Sequence, residues 1–222
     1  MKILKVNSEN LRESREAIEE AVQVIKLGGT IIFPTDTVYG LGCDATSNAA
    51  VKKIFKIKSR PENKPMPVII TDLDMAKKIA YFDERVEEML LSVWPGPITI
   101  LLEKKQFFFS NPEMKLADLV AGDKKTIALR IPDYKIIHYL AVKCGIPLVA
   151  TSANISGQPA STKINEVLRQ FEAGNVKPDL ILDAGDLKFS QASTILDLSK
   201  EKPMITRVGA VNKKKLFDII GI

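Results

Sequence analysis

Apolar residues along this chain follow two rhythms. Ile18, Val22 and Ile25 recur at helical spacing up to Gly28–Gly29, which predicts a helix that hands over directly to a buried strand at Thr30–Phe33. A second helix is predicted from a cap at Thr46 or Ser47. It buries Val51, Ile54 and Phe55 and stops before Pro61, leaving the following chain extended. Short apolar runs predict strands at Val68–Thr71, Ile98–Leu102, Ile127–Ile131, Leu148–Thr151, Leu180–Asp183, Thr194–Leu198 and Met204–Arg207. Between them, Asp83–Val93, Tyr134–Val142 and Ile164–Phe171 each carry one apolar face at helical spacing. The alternation predicts a mixed α/β fold, a single-domain twisted sheet flanked by helices. There is no internal repeat and no long Gly/Ser- or Pro-rich linker, so residues 1–222 are read as one domain with a core at about 14–211. The segment Lys104–Lys125, with Phe107–Phe109, Asn111–Pro112 and Gly122–Asp123, reads as a long excursion outside the core, either a lid or an insertion with packed aromatics.

Composition and residue usage add to this picture. At 45% hydrophobic and 27% charged, the chain has the makeup of a globular protein. Met1–Asn10 is too polar for a secretory signal or a membrane span, which predicts a cytoplasmic protein with no membrane partner. The net charge of +5 favours anionic partners such as nucleotides or RNA. Cys43 and Cys144 lack metal-site spacing and are read as reduced core thiols. His138 sits among apolar neighbours in a predicted helix and is given a structural role.

Candidate chemistry gathers in three stretches. Pro34–Gly42 follows a buried strand and packs hydroxyls and two glycines into a turn, where amides and hydroxyls converge on ligands and glycine lets them approach. Lys52, Lys53, Lys56, Lys58, Arg60 and Lys64 form a basic run. In extended chain Lys58 and Arg60 share a face, and two cations so placed suit a polyphosphate or a carboxylate. Pro147–Gly157 is another strand ending in small polar groups, with Ser152 and Asn154 pointing together. Arg130 and Arg207 stand among apolar strand residues, so each needs an internal carboxylate or an anionic ligand. Ser193 and Thr194 head a strand from which their hydroxyls would join the same pocket. The Gly-Lys phosphate loop, the complete dinucleotide fingerprint and the Ser/His/Asp triad are all missing from the sequence.

Together these stretches resemble the YrdC-like family of threonylcarbamoyl-AMP synthases in their short single-domain form, from about Ala21 to Val211. The likeness rests on Pro34–Thr35–Asp36–Thr37–Val38–Tyr39–Gly40–Leu41–Gly42, Lys58-x-Arg60 and Ser152-x-Asn154. Trp94–Pro95–Gly96–Pro97 and Arg207–Val208–Gly209 add to it. Asp36 stands where Glu is frequent, and the chain ends near Ile222 without the additional C-terminal domain of longer relatives. The resemblance implies a large basic cavity, formation of threonylcarbamoyl-AMP and pyrophosphate from L-threonine, bicarbonate or CO2 and ATP with Mg2+, and delivery to the machinery that makes threonylcarbamoyladenosine in tRNA. It assigns threonine to Thr37, Arg130 and Ser193, ATP to Arg60, Lys64, Thr126, Ser152, Asn154 and Arg207, and catalysis to Lys58 and Arg60. Two alternatives stand beside it: a tRNA- or double-stranded-RNA-binding module without catalysis, and the carbamoyl transfer performed by related domains of hydrogenase maturation proteins.

Overall fold

The computed structural model describes residues 1–106, 114–122, 124–172 and 174–221. Its elements are, in order, β1 (Lys2–Lys5), α1 (Arg15–Lys26), β2 (Ile31–Phe33), β3 (Gly40–Asp44), α2 (Asn48–Lys58), β4 (Val68–Ile69), α3 (Leu73–Ile79), β5 (Ala80–Tyr81), α4 (Glu84–Val93) and β6 (Ile98–Lys104). There follow α5 (Asp118–Ala121), β7 (Thr126–Arg130), α6 (Lys135–Cys144), β8 (Leu148–Ser152), α7 (Ile164–Glu172), β9 (Leu180–Asp183), β10 (Thr194–Asp197), β11 (Met204–Arg207) and α8 (Lys213–Ile220). All strands join one mixed sheet in the order β1-β9-β2-β3-β8-β4-β7-β6-β10-β11, with β5 paired to β6.

The periodic helices form where the spacing predicted. α1 buries Ile18, Ala21, Val22 and Ile25. α2 starts at Ser47, whose hydroxyl accepts from Ala50 N as an N-cap, and buries Val51, Ile54 and Phe55. α1 and α6 enclose one apolar cluster with Ile31, Phe33, Leu148, Leu180 and Leu182. A larger cluster gathers residues of α2, α3, α4, α7 and α8 around Leu41, Val68, Ile100 and Leu129. Cys43 and Cys144 are buried free thiols, and burial pushes both upward in pKa, Cys144 to about 11.

Three strands escaped the pattern, among them β5, a two-residue partner of β6 too short to show as a run. β1 is a sheet edge with Ile3 exposed, and its apolar content is too thin to show as a run. β3 reads Gly-Leu-Gly-Cys-Asp, without a β-branched residue, and starts inside the stretch expected to be a turn. Its glycines serve packing, and Gly40 also lines a cavity on this sheet. A Cβ on Gly42 would lie 2.1 Å from Val149 O of the paired β8, and one on Gly40 would lie 2.5 Å from the Phe33 ring. The excursion at Lys104–Lys125 also needs correcting. Leu116, Ala117, Val120 and Ala121 are buried, Ala117 N donates to Ala45 O, and Met66 N donates to Val120 O, so this part packs into the core. The phenylalanines Phe107–Phe109 lie outside the described residues.

Alternation along the central strands positions the site. On β7, Ile127 and Leu129 enter the large core, while Thr126, Ala128 and Arg130 line the opposite face.

Candidate functional site

A cavity of about 300 Å³ lies against that face. Strands β4, β6, β7, β8, β10 and β11 form its wall, together with the links β2–β3 and α2–β4. The charged residues on its wall are Arg60, Arg130 and Arg207, and no carboxylate lines it among the described residues. Around them stand hydroxyls of Thr35, Thr37, Thr99, Thr126, Ser152 and Ser193. Such a surface offers donors and positive charge, which suits an anionic ligand.

Each arginine is braced differently. Arg130 is buried at the end of β7, and burial pulls its pKa down while Asp36 opposes the pull. Its Nε donates to Gly96 O at 3.0 Å, Nη1 to Thr37 Oγ1 at 3.1 Å, and Nη2 to Asp36 Oδ1. The buried guanidinium therefore has the internal carboxylate its setting demanded, and two of its N–H groups have no partner among the described residues. Asp36 Oδ2 is buried without a partner among the described residues. Arg60 reaches back over its own loop, donating from Nη2 to Pro65 O at 2.9 Å and from Nε to Lys64 O at 3.3 Å. Arg207 lies on the edge strand β11 and is exposed, contrary to its reading as a buried strand residue. Its Nε and Nη2 donate to Ser193 O at 3.0 and 2.8 Å, and Nη2 also meets Ser193 Oγ at 3.1 Å. Although the residue is exposed as a whole, its guanidinium end against Ser193 is partly buried; that desolvation first, and repulsion from Arg130 second, lower its pKa, so the two cations share one electrostatic neighbourhood. Gly209 permits this arrangement, since a Cβ there would lie 2.0 Å from Ala192 O.

Thr37 is held by proton counting. Thr35 donates its hydroxyl to Val38 O at 2.7 Å, so in the 3.0 Å contact between the two threonines Thr37 is the donor. With Arg130 on one lone pair, Thr37 Oγ1 keeps the other as a free acceptor.

Of the residues singled out in the sequence, Thr37, Arg60, Thr126, Arg130, Ser152, Ser193 and Arg207 meet at the cavity, and Lys58, Lys64, Asn154 and Thr194 do not. Lys58 and Arg60 do not share a face, because Ser59 turns left-handed (φ 49°) at the end of α2 and Arg60 N closes back on Phe55 O. Lys58 therefore points inward, 1% exposed, with Nζ on Ser152 O at 2.5 Å, Asn154 O at 2.7 Å and Asn154 Oδ1 at 3.0 Å. Burial first and the Arg60 charge second push its pKa down to about 7, while three oxygen acceptors match the three hydrogens of the ammonium and oppose that push. Asn154 is spent on this clamp and on Gln158 O. Lys64 is exposed and contributes its carbonyl to Arg60. Thr194 turns away from the cavity and donates to Val211 O, fixing the chain after β11. Sequence reasoning missed Thr99 and Leu101 on β6 and Pro65–Pro67, which lie in apolar or proline-rich stretches with nothing to mark them.

Comparison with known proteins identifies the family. A sequence model of the Sua5/YciO/YrdC family, described as "Telomere recombination", matches residues 23–209. A protein of Methanocaldococcus jannaschii is 34% identical over 215 residues, an overlap covering 97% of this chain and 96% of that one. The threonylcarbamoyl-AMP synthase of Pyrococcus abyssi is 33% identical over 213 residues, covering 93% of this chain and 59% of that protein, so this chain spans little more than half of that relative. The structure of P. abyssi Sua5 complexed with L-threonine superposes with a TM-score of 0.87 at 30% identity, over 100% of this chain and 61% of that one. By its family match, its close structural likeness and a cavity built from the matched segments, the chain belongs to the Sua5/YciO/YrdC family.

Proposed function

We propose that this protein is a threonylcarbamoyl-AMP synthase, which joins L-threonine, bicarbonate-derived CO2 and ATP and releases pyrophosphate. The observation that carries the reading is the cavity wall, where three arginines from three separate segments surround small hydroxyls with no lining carboxylate. The names of the relatives and the threonine complex of P. abyssi Sua5 support it.

The chemistry asks little of the protein in covalent terms. The threonine ammonium loses a proton to solvent, and the amine adds to CO2 with loss of a second proton to solvent, forming a carbamate. A carbamate oxygen then bonds to the α-phosphorus of ATP as the bond to the β-phosphate oxygen breaks, and pyrophosphate leaves. Charge grows on the phosphoryl oxygens and the leaving group, and preset guanidinium and hydroxyl donors lower that barrier more than a side-chain nucleophile would. Arg60, Thr126, Ser152 and Arg207 are proposed to face the nucleotide, and Thr37, Arg130 and Ser193 the amino acid. Among the described residues there is no cluster of three or more His, Cys, Asp or Glu able to hold a metal. Mg2+ is accordingly proposed to enter with ATP as part of the substrate, and no step here runs through it. Delivery of the product to the tRNA-modifying machinery and a cytoplasmic location belong to the same proposal; no described helix is long and apolar enough to cross a membrane. The RNA-module reading fares worse because these arginines line a cavity and not a track flanked by stacking aromatics.

The test is pyrophosphate release by the purified protein with MgATP, with and without L-threonine and bicarbonate. Release that requires both is the expected result, and its absence in every combination overturns the proposal.

A further inference from the structure

Thr99 belongs to none of the motifs, yet it stands on β6 at the cavity wall, 1% exposed. Among the described residues its hydroxyl has one partner, Ser193 Oγ at 2.7 Å, and Ser193 Oγ has one further partner, Arg207 Nη2 at 3.1 Å. Each hydroxyl carries one proton and two lone pairs, and a guanidinium can only donate. Arg207 therefore occupies one lone pair of Ser193. Were Ser193 to donate to Thr99, the unpaired proton would fall on Thr99, the more deeply buried of the two residues at 1% exposed against 6% for Ser193, where an unmade hydrogen bond costs more. With Thr99 as donor, the unpaired proton falls on Ser193 instead. Both Ser193 lone pairs are filled, and its O–H is left to turn into the cavity.

We infer that Thr99 is a positioning residue that donates to Ser193 and so sets the Ser193 O–H as a hydrogen-bond donor toward a carboxylate in the cavity. The inference rests on L-threonine being a ligand of this site, and it adds an orientation. Ser193 is set to donate and Thr37 retains a free lone pair, so the two hydroxyls present opposite polarity. A carboxylate only accepts and an ammonium only donates. The acid end of the amino acid then belongs at Ser193, beside the Arg207 guanidinium, and the amino end at Thr37.

Calorimetric titration of L-threonine into the full chain tests this with wild type, Thr99→Val, Ser193→Ala and the double variant, their folding checked by thermal melting. Thr99→Val keeps the shape and removes the donor, and is expected to weaken L-threonine binding about five- to tenfold. The same change made in Ser193→Ala is expected to cost less than about twofold, because the pair acts as a unit. Thr99→Ser restores the hydroxyl and should bring binding back to within about twofold of wild type. Thr99→Cys, a weak donor, carries the expectation of Thr99→Val should that variant fold poorly. If Ser193 were the donor instead, removing Thr99's oxygen would free the Ser193 proton. Binding by Thr99→Val as tight as wild type or tighter, or fully additive losses in the double variant, therefore overturns the inference. A folded wild type that takes up no L-threonine overturns the threonine reading beneath it, and this inference with it.

Discussion

Two residues of one short motif, separated by a single serine, have different physical tasks. Arg60 faces the cavity while Lys58 is sealed behind it, holding the carbonyls of Ser152 and Asn154. Arg60→Ala should lower adenylate formation by about 100-fold or more, the usual cost of removing a preset donor to developing charge, and leave the melting temperature nearly unchanged. Pyrophosphate release and a melting curve check both halves. Lys58→Met should act through stability, since it strands buried carbonyl oxygens. It also carries a pH signature. The unfolded lysine holds its proton to about 10.4, whereas the folded one is pushed down to about 7. Between those values the unfolded chain binds more protons, so stability gains with rising pH; below the folded value both states are protonated and this contribution is flat. Denaturant midpoints should climb more from about pH 7 to about pH 9.5 in wild type than in Lys58→Met, and equal changes would mean that the three oxygens hold the ammonium charged. The pattern Lys-x-Arg was legible as chemistry, but its division of labour was not, because one left-handed residue decides it.

At the level of elements, long periodic segments were legible and glycine-rich ones were not. α1, α2, α4, α6 and α7 and the apolar strands declare themselves by spacing alone. β3 does not, because its strand conformation comes from pairing with β2 and β8 on either side. Gly42→Ala would push a methyl into Val149 O and should destabilise the fold by about 1–3 kcal/mol, read as a lower denaturant midpoint. Gly209→Ala tests the other kind of close approach. Its methyl would meet Ala192 O and the Ser193 carbonyl and displace the support under Arg207. Activity should fall more steeply than stability, measured as a rise in KM for ATP at a melting temperature only a few degrees lower.

For the molecule as a whole, the net charge of +5 matters less than where three of its cations sit. Inorganic tripolyphosphate should raise the melting temperature of wild type, by about 2.7 kcal/mol of added stability at 100 times its Kd. It should do little for the double variant Arg60→Ala/Arg207→Ala, and the effect should shrink with salt. An equal rise in both proteins would mean that the anion binds elsewhere on the basic surface. By itself, the sequence determined the α/β class, the positions of the long helices and buried strands, and the motifs that mark the chemistry, because spacing, caps and residue type are local properties. Only the tertiary structure decided that Lys58, Asn154 and Thr194 brace the site from behind, that the segment around Val120 belongs to the core, and that Thr99 stands beside Ser193. These depend on which strands lie next to one another, and the pairing of β6 with β10 joins residues 94 positions apart, beyond the reach of any local pattern.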